Sequence, residues 1–204
     1  MNTLWRSLTL APLLALFGCQ SPAPSLHALV GTGEAVLEPV LVGQWCEESP
    51  EHTCQDDSRW TFEQEGERAF RLTISEGVTG GEAFVFNVRL ARIDGQLFLD
   101  ARLKEHFLGD KRIDSDVFVL PTHLIGRIEL EPDALRIQLF HTDWMREQIA
   151  AGRLELSHTN LEDGTFLITA GTEELQQFVR RYGGEEEAFA FRTDLIRQPP
   201  AARF

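Results

Sequence analysis

Three cysteines and six histidines are the side chains best suited to chemistry in this 204-residue chain. Cys46 and Cys54 have seven residues between them, and a disulfide joining them would close a short polar loop worth roughly 2–3 kcal/mol. The rival, a metal site, wants four ligands, and only His52 lies between the two thiols. The histidines carry no H-x-x-x-H or H-E-x-x-H spacing. Strand alternation puts His123 on a mixed face with Ile125 and Arg127 and His141 on an apolar face pointing away from it, so the two share no metal. His158 lies apart, His106 falls in a polar connection and His27 near the start of the chain. No G-x-S-x-G elbow exists. Asp110, Asp114 and Asp116 in DKRIDSD lack the glycine and closing glutamate of a calcium loop and read as a solvated turn. Gly77, Gly80 and Gly81 in EGVTGGE precede a strand rather than a helix, so they offer no helix terminus to an anion and read as a hairpin loop. With 32 acidic residues a hydrolytic carboxylate pair cannot be picked out by sequence. The expectation is a chain with no catalytic residue, no metal and no cofactor.

The third cysteine has a different setting. Residues 1–18 carry one charge, Arg6, then an apolar run from Leu8 to Phe17 that is too short to span a bilayer, which needs roughly 20 residues. A positive start, about ten apolar residues and a small residue before the cut form the secretory pattern. Leu16-Phe17-Gly18-Cys19 resembles the lipobox of bacterial lipoproteins, with Phe17 bulkier than usual. The resemblance implies cleavage after Gly18 and lipidation (palmitate among the acyl chains) of Cys19. An ordinary secretory leader would instead leave Cys19 as an odd free thiol.

Loss of Arg6 with residues 1–18 leaves 18 basic against 32 acidic residues, a net charge of −14. Such a surface repels nucleic acid and anionic headgroups, so membrane contact is expected through the lipid anchor alone. Residues 19–33, the cysteine followed by QSPAPSLHALVGTG, have no charge and read as a flexible tether reaching about 20 Å. Residues 34–197 make one domain and 198–204, with Pro199-Pro200, a loose tail.

Positioning falls to strands. Asp94-Gly95 between alternating apolar runs is a strong hairpin signal. Pairing Ile93 with Gln96 aligns Leu90 with Leu99, Val88 with Ala101 and Phe86 with Leu103, and sets Arg89 opposite Asp100 as a cross-strand charge pair. A second hairpin turning at Glu131–Ala134 aligns Leu130 with Leu135, Ile128 with Ile137 and Gly126 with Leu139, with Glu129 facing Arg136 and Arg127 facing Gln138. Further strands are expected at Val40–Cys46, Arg59–Gln64, Ala69–Ser75, Leu154–His158, Phe166–Ala170 and Ala188–Arg192. Helices are expected over Trp144–Ala151, capped by Thr142 or Asp143, and after Thr172, ending at Gly183-Gly184. The fold class is all-β, mainly antiparallel: a barrel of about ten strands with two short inserted helices, or a barrel-like sandwich.

Gly43-Gln44-Trp45 at the first expected strand resembles the G-x-W opening of lipocalins, in which the tryptophan closes one barrel end against an arginine of the last strand; Arg192 is the matching residue. By that resemblance the barrel is lipocalin-like. LFLD at Leu97–Asp100, LPTHLIGRIEL at Leu120–Leu130, HTDWM at His141–Met145 and TAGTEELQQF at Thr169–Phe178 resemble a family of uncharacterised bacterial lipoproteins, which implies an envelope location and no known activity. The leading expectation is a lipid-anchored, non-catalytic envelope protein that binds a lipid or apolar small molecule among Phe84, Phe86, Val88, Leu97, Leu99, Ile128, Ile137 and Leu139. The alternative is a filled barrel that works as an interaction partner of envelope proteins; a carboxylate-based hydrolase comes third. Gln20 in place of an aspartate after the lipidation site points, by the lipoprotein analogy, to the periplasmic side of the outer membrane.

Overall fold

The computed structural model describes residues 21–47, 59–75, 81–108, 111–112 and 121–198. Residues 1–18, Cys19, Cys54, the DKRIDSD aspartates, Gly77, Gly80 and the tail beyond Gln198 lie outside them. In chain order the elements are β1 (Pro24–Ser25), β2 (Gly43–Glu47), β3 (Arg59–Gln64), β4 (Phe70–Ser75), β5 (Glu82–Ile93), β6 (Gln96–Leu108), β7 (Lys111–Arg112), β8 (His123–Leu130), β9 (Ala134–Phe140), α1 (Thr142–Ala150), β10 (His158–Asn160), β11 (Phe166–Ile168), α2 (Thr172–Tyr182) and β12 (Phe189–Arg197).

Strands β2, β3, β4, β5, β6, β8, β9 and β12 pair antiparallel in that order, and β12 returns to β2. The result is a closed eight-stranded barrel, not a sandwich. Closure leaves none of the eight with an unpaired edge, and eight strands enclose space for side chains or one small ligand. Both hairpins adopt the expected registers, from Ile93 opposite Gln96 to Phe86 opposite Leu103 and from Leu130 opposite Leu135 to Gly126 opposite Leu139. The two-residue turn holds Asp94 and Gly95 at positive φ, 49° and 83°, the geometry for which Asp-Gly is favoured.

Two apolar clusters sit on opposite sides of the wall. Inside, Leu41, Trp45, Phe62, Phe70, Leu72, Val88, Leu90, Ile128, Leu135 and Leu195 fill the barrel. Outside, Ala91, Phe98 and Ile125 face away from the lumen and are covered by α1, α2 and the N-terminal segment, through Trp144, Met145, Leu175, Phe178, Leu29 and Val30.

That second cluster overturns the tether. From Ser21 onward the supposed linker is packed: Ala23, Ser25, Leu29, Val30 and Ala35 are all buried. β1 pairs antiparallel with β8 and parallel with β11. Leu29 N–H donates to Asp100 (2.7 Å), Thr172 Oγ1 donates to Ala28 O (2.7 Å), and Val36 N–H donates to Leu90 O (2.9 Å). The folded unit therefore begins by residue 21 rather than 34.

Other boundaries shift for local reasons. Pro39–Leu41 forms a 3-10 turn, so β2 starts at Gly43. His141 is the N-cap of α1, so β9 ends before it and the helix begins two residues earlier than expected. Gly171 caps α2, because Thr172 spends its hydroxyl on Ala28. His106 lies in β6, stacked on Phe84, not in a loop. Of the strand expected at Leu154–His158 only His158 pairs; the observed strand is His158–Asn160, against β11. Cys46 is disulfide-bonded.

Charged pairs brace the outside of β8, β9 and β12. The hydrogen bond from Arg127 holds the Glu186 carboxyl below its usual range, and those from Arg192 and Arg136 do the same for Asp194. A depressed carboxyl stabilises the fold above its unfolded pKa and loses that contribution as pH falls through the folded value. Thermal midpoints are therefore expected to stay level from about pH 7 to 5 and to drop below about pH 4.5. An Asp194→Asn chain should show a shallower drop; an unaltered slope would remove this pair from the explanation.

Candidate functional site

One end of the barrel is plugged. Trp45 is fully buried, and its indole N–H donates to Leu41 O at 2.9 Å. Arg197, opposite Trp45 on β12, lays its guanidinium 4.2 Å from the ring centroid, a cation–π contact. The same guanidinium donates to the carbonyls of Val40, Val42 and Pro132. Gly43 has φ +144°, and a Cβ there would collide with Arg197 Nη1, so only glycine leaves the arginine its place. The spacing of G-x-W thus has a physical cause.

Arg192 does not make this contact. It faces Gln138, bonds Asp194 at 2.7 Å and is exposed. A bulge at Phe191, held at φ 51°, inserts one residue between Ala190 and Arg192. Counting by two from Ala190 puts Arg192 inside; the extra residue puts it outside and brings Thr193, Leu195 and Arg197 to the lumen.

Toward the other end the lumen keeps a pocket of about 80 Å³ with purely apolar walls. Phe86, Val88, Leu99, Ile128, Ile137 and Leu139 line it. Phe84 and Leu97 do not: Phe84 stacks on His106 with centroids 4.5 Å apart, and Leu97 is buried in the filled part of the barrel. Trp60, Phe62, Leu72, Ile74, Ala101 and Leu124 complete the lining. Trp60, Phe62, Leu72 and Ile74 come from β3 and β4, whose pairing no short turn signal announces, while Ala101 and Leu124 belong to the two hairpins already read from the sequence. Trp60, Ile74, Phe86, Leu124 and Leu139 are only half-buried and form the rim. The Trp60 indole N–H is buried without a hydrogen-bond partner among the described residues.

A second, polar cleft of about 540 Å³ lies on the outer wall across β5, β6 and β8. Asp100, 3% exposed, anchors it. Its Oδ2 accepts Leu29 N–H, and its Oδ1 lies 2.5 Å from His123 Nδ1. The charge pair expected between Arg89 and Asp100 is not formed, although the two stand opposite each other, because both carboxylate oxygens are engaged elsewhere. At the flank of the cleft, hydrogen bonds from Lys104 and then Asn87 hold Glu65 below the usual carboxylate range.

Among the described residues no group of three or more His, Cys, Asp or Glu could hold a metal ion, and no helix is long and apolar enough to cross a membrane. No family model, no curated protein and no solved structure matches this chain.

Proposed function

We propose that this chain is an exported lipoprotein of the bacterial cell envelope, lipidated on Cys19 and held to the periplasmic face of the outer membrane. Its barrel works there as a non-catalytic module that takes the end of a lipid or other slender apolar group. The observation that carries the binding reading is the all-apolar pocket at the unplugged end of the barrel. An apolar cavity of about 150 Å³ accepts benzene, whereas drug-sized ligands fill roughly 300 Å³ or more. A pocket near 80 Å³ therefore suits the last few carbons of an alkyl chain, with the rest of the ligand emerging past the half-buried rim. The lipobox-like Leu16–Cys19 and the runs that resemble uncharacterised envelope lipoproteins support the location.

Decanoic acid is the simplest probe. Titrated into the full chain in neutral detergent, it is expected to alter Trp60 fluorescence and saturate, and native mass spectrometry should show one bound copy. Ala101→Leu places three further carbons into the pocket and should abolish binding while leaving the melting temperature within a few degrees. A wild-type chain that shows no saturable change, or an Ala101→Leu chain that binds equally well, would sink the proposal.

A further inference from the structure

The outer cleft has a composition at odds with the rest of the molecule. In a chain of 32 acidic and 19 basic residues, its walls carry Arg89, Arg102 and Lys104 against Asp100 alone. Lys104 is neutralised by Glu65 at 2.7 Å. Asp100 is committed to Leu29 and His123. Two guanidiniums remain: among the described residues neither Arg89 nor Arg102 has a side-chain hydrogen-bond or ion-pair partner, and Arg89 Nε is buried.

Strand register brings these groups to one spot. Asn87, Arg102 and His123 form a row across β5, β6 and β8, and Arg89 and Asp100 form the adjoining row on the same outer face. Arg89 and Arg102 are therefore diagonal neighbours, roughly 7–8 Å apart at the backbone, close enough for both planar forks to reach one anion. Asp100, acting as acceptor only, requires the proton of His123 on Nδ1, which fixes the ring at 14% side-chain exposure beside them. The half-buried Arg89 guanidinium without a counter-charge is costly, and a tetrahedral oxyanion would meet it and the exposed Arg102 fork with paired hydrogen bonds.

We propose that this cleft binds a phosphate-bearing anion, a monoester or diester, between Arg89 and Arg102, with His123 held in place by Asp100 as a further polar contact. A volume near 540 Å³ exceeds a bare phosphate and leaves room for the group esterified to it. The phosphate can belong to a soluble molecule or to a lipid headgroup. On the anchoring reading above, Ser25, which pairs with His123, is six residues from Cys19 and so within about 20 Å of the bilayer surface.

Calorimetry on the full chain in neutral detergent tests this with two probes: inorganic phosphate, and phosphatidylglycerol against phosphatidylcholine in mixed micelles. Saturable binding of phosphate, weakened at least tenfold in both Arg89→Gln and Arg102→Gln and retained in Arg181→Gln on α2, is the expected result. Binding of phosphatidylglycerol alone, with the same losses, assigns the phosphate to a headgroup and equally supports the site. Arg102 is exposed and its exchange leaves the fold intact, so it decides the matter if Arg89→Gln fails to fold. No saturable binding of either probe, or wild-type affinity in Arg102→Gln, overturns the proposal. Neither probe requires lipid on Cys19 or an occupied barrel, so failure here is distinct from failure of the function proposed above.

Discussion

Replacing Trp45 by alanine is expected to remove about 3–5 kcal/mol of folding stability, the usual cost of deleting a large buried aromatic side chain. A domain of this size has about 5–15 kcal/mol in total, so the variant should melt far below the wild type or fail to accumulate. The cost has three sources. The ring is wholly excluded from water, its N–H holds the Leu41 carbonyl, and it is the surface on which Arg197 rests. Arg197 also ties the carbonyls of Val40 and Val42 to that of Pro132, so its plug joins the entry to β2 with the β8–β9 turn. Gly43→Ala should be damaging for a separate reason, because it adds strained backbone to a collision with Arg197. Arg192→Ala, by contrast, should stay within about 0.5 kcal/mol, as an exposed ion pair does. Thermal or urea melts of the four chains check the ranking. A Trp45→Ala chain that melts like the wild type would show that the plug contributes nothing.

The second large effect concerns location. A Cys19→Ser chain is expected to move from the membrane fraction to the soluble one with its melting temperature unchanged. On the proposed anchoring, the acyl chains supply the stable attachment: a net charge of −14 after loss of residues 1–18 gives no general attraction to anionic headgroups, and two or more acyl chains suffice to hold the chain. The packing of residues 21–36 sharpens the expectation. Since Ser21 O already accepts Thr142 N–H and Ala23 N–H donates to Phe140 O, only Gln20 separates Cys19 from the folded body. The leash is then about 7 Å long rather than the 20 Å of a free coil, and the barrel would sit against the bilayer in a restricted set of orientations. Fractionation followed by immunoblotting reads the result, and a serine variant that stays membrane-bound contradicts lipid anchoring at this site.

What could be read from the sequence followed from how local each contact is. Both hairpins were legible because a turn signal fixes the register and the register segregates apolar from charged side chains; six pocket residues came with them. Trp60, Phe62, Leu72 and Ile74 were not, since β3 and β4 join the barrel through loops that carry no turn signal to fix a register. Arg197 was hidden because the expected last strand ends at Arg192, whereas the observed one runs to Arg197 past a bulge at Phe191 that turns Arg192 outward. Asp100 and His123 meet only through the pairing of β6 with β8, and no turn joins those strands directly. The N-terminal segment looked like a linker because its composition is that of one. Its backbone is satisfied by groups 71 to 147 residues away, such as Asp100, Thr172 and Gln176, and such partners leave no periodic trace nearby. The second apolar cluster did leave a trace: Ala91, Phe98 and Ile125 interrupt an otherwise polar outer face where the helices dock.

The closure of the barrel also sets the order in which the molecule can be completed. β12, the last strand, lies between β9 and β2, so Cys46 meets Ile196 across 150 residues of chain. Until that strand has been made, β2 and β9 each present an open row of N–H and C=O groups, and residues 141–188 must fold as an excursion between two strands that are not yet joined. Late, long-range closure of this kind is slow, because the entropy of the whole loop is lost before the final ladder forms. The half-made barrel is thus the state most open to pairing with another chain, a hazard that ends only when its final residues arrive.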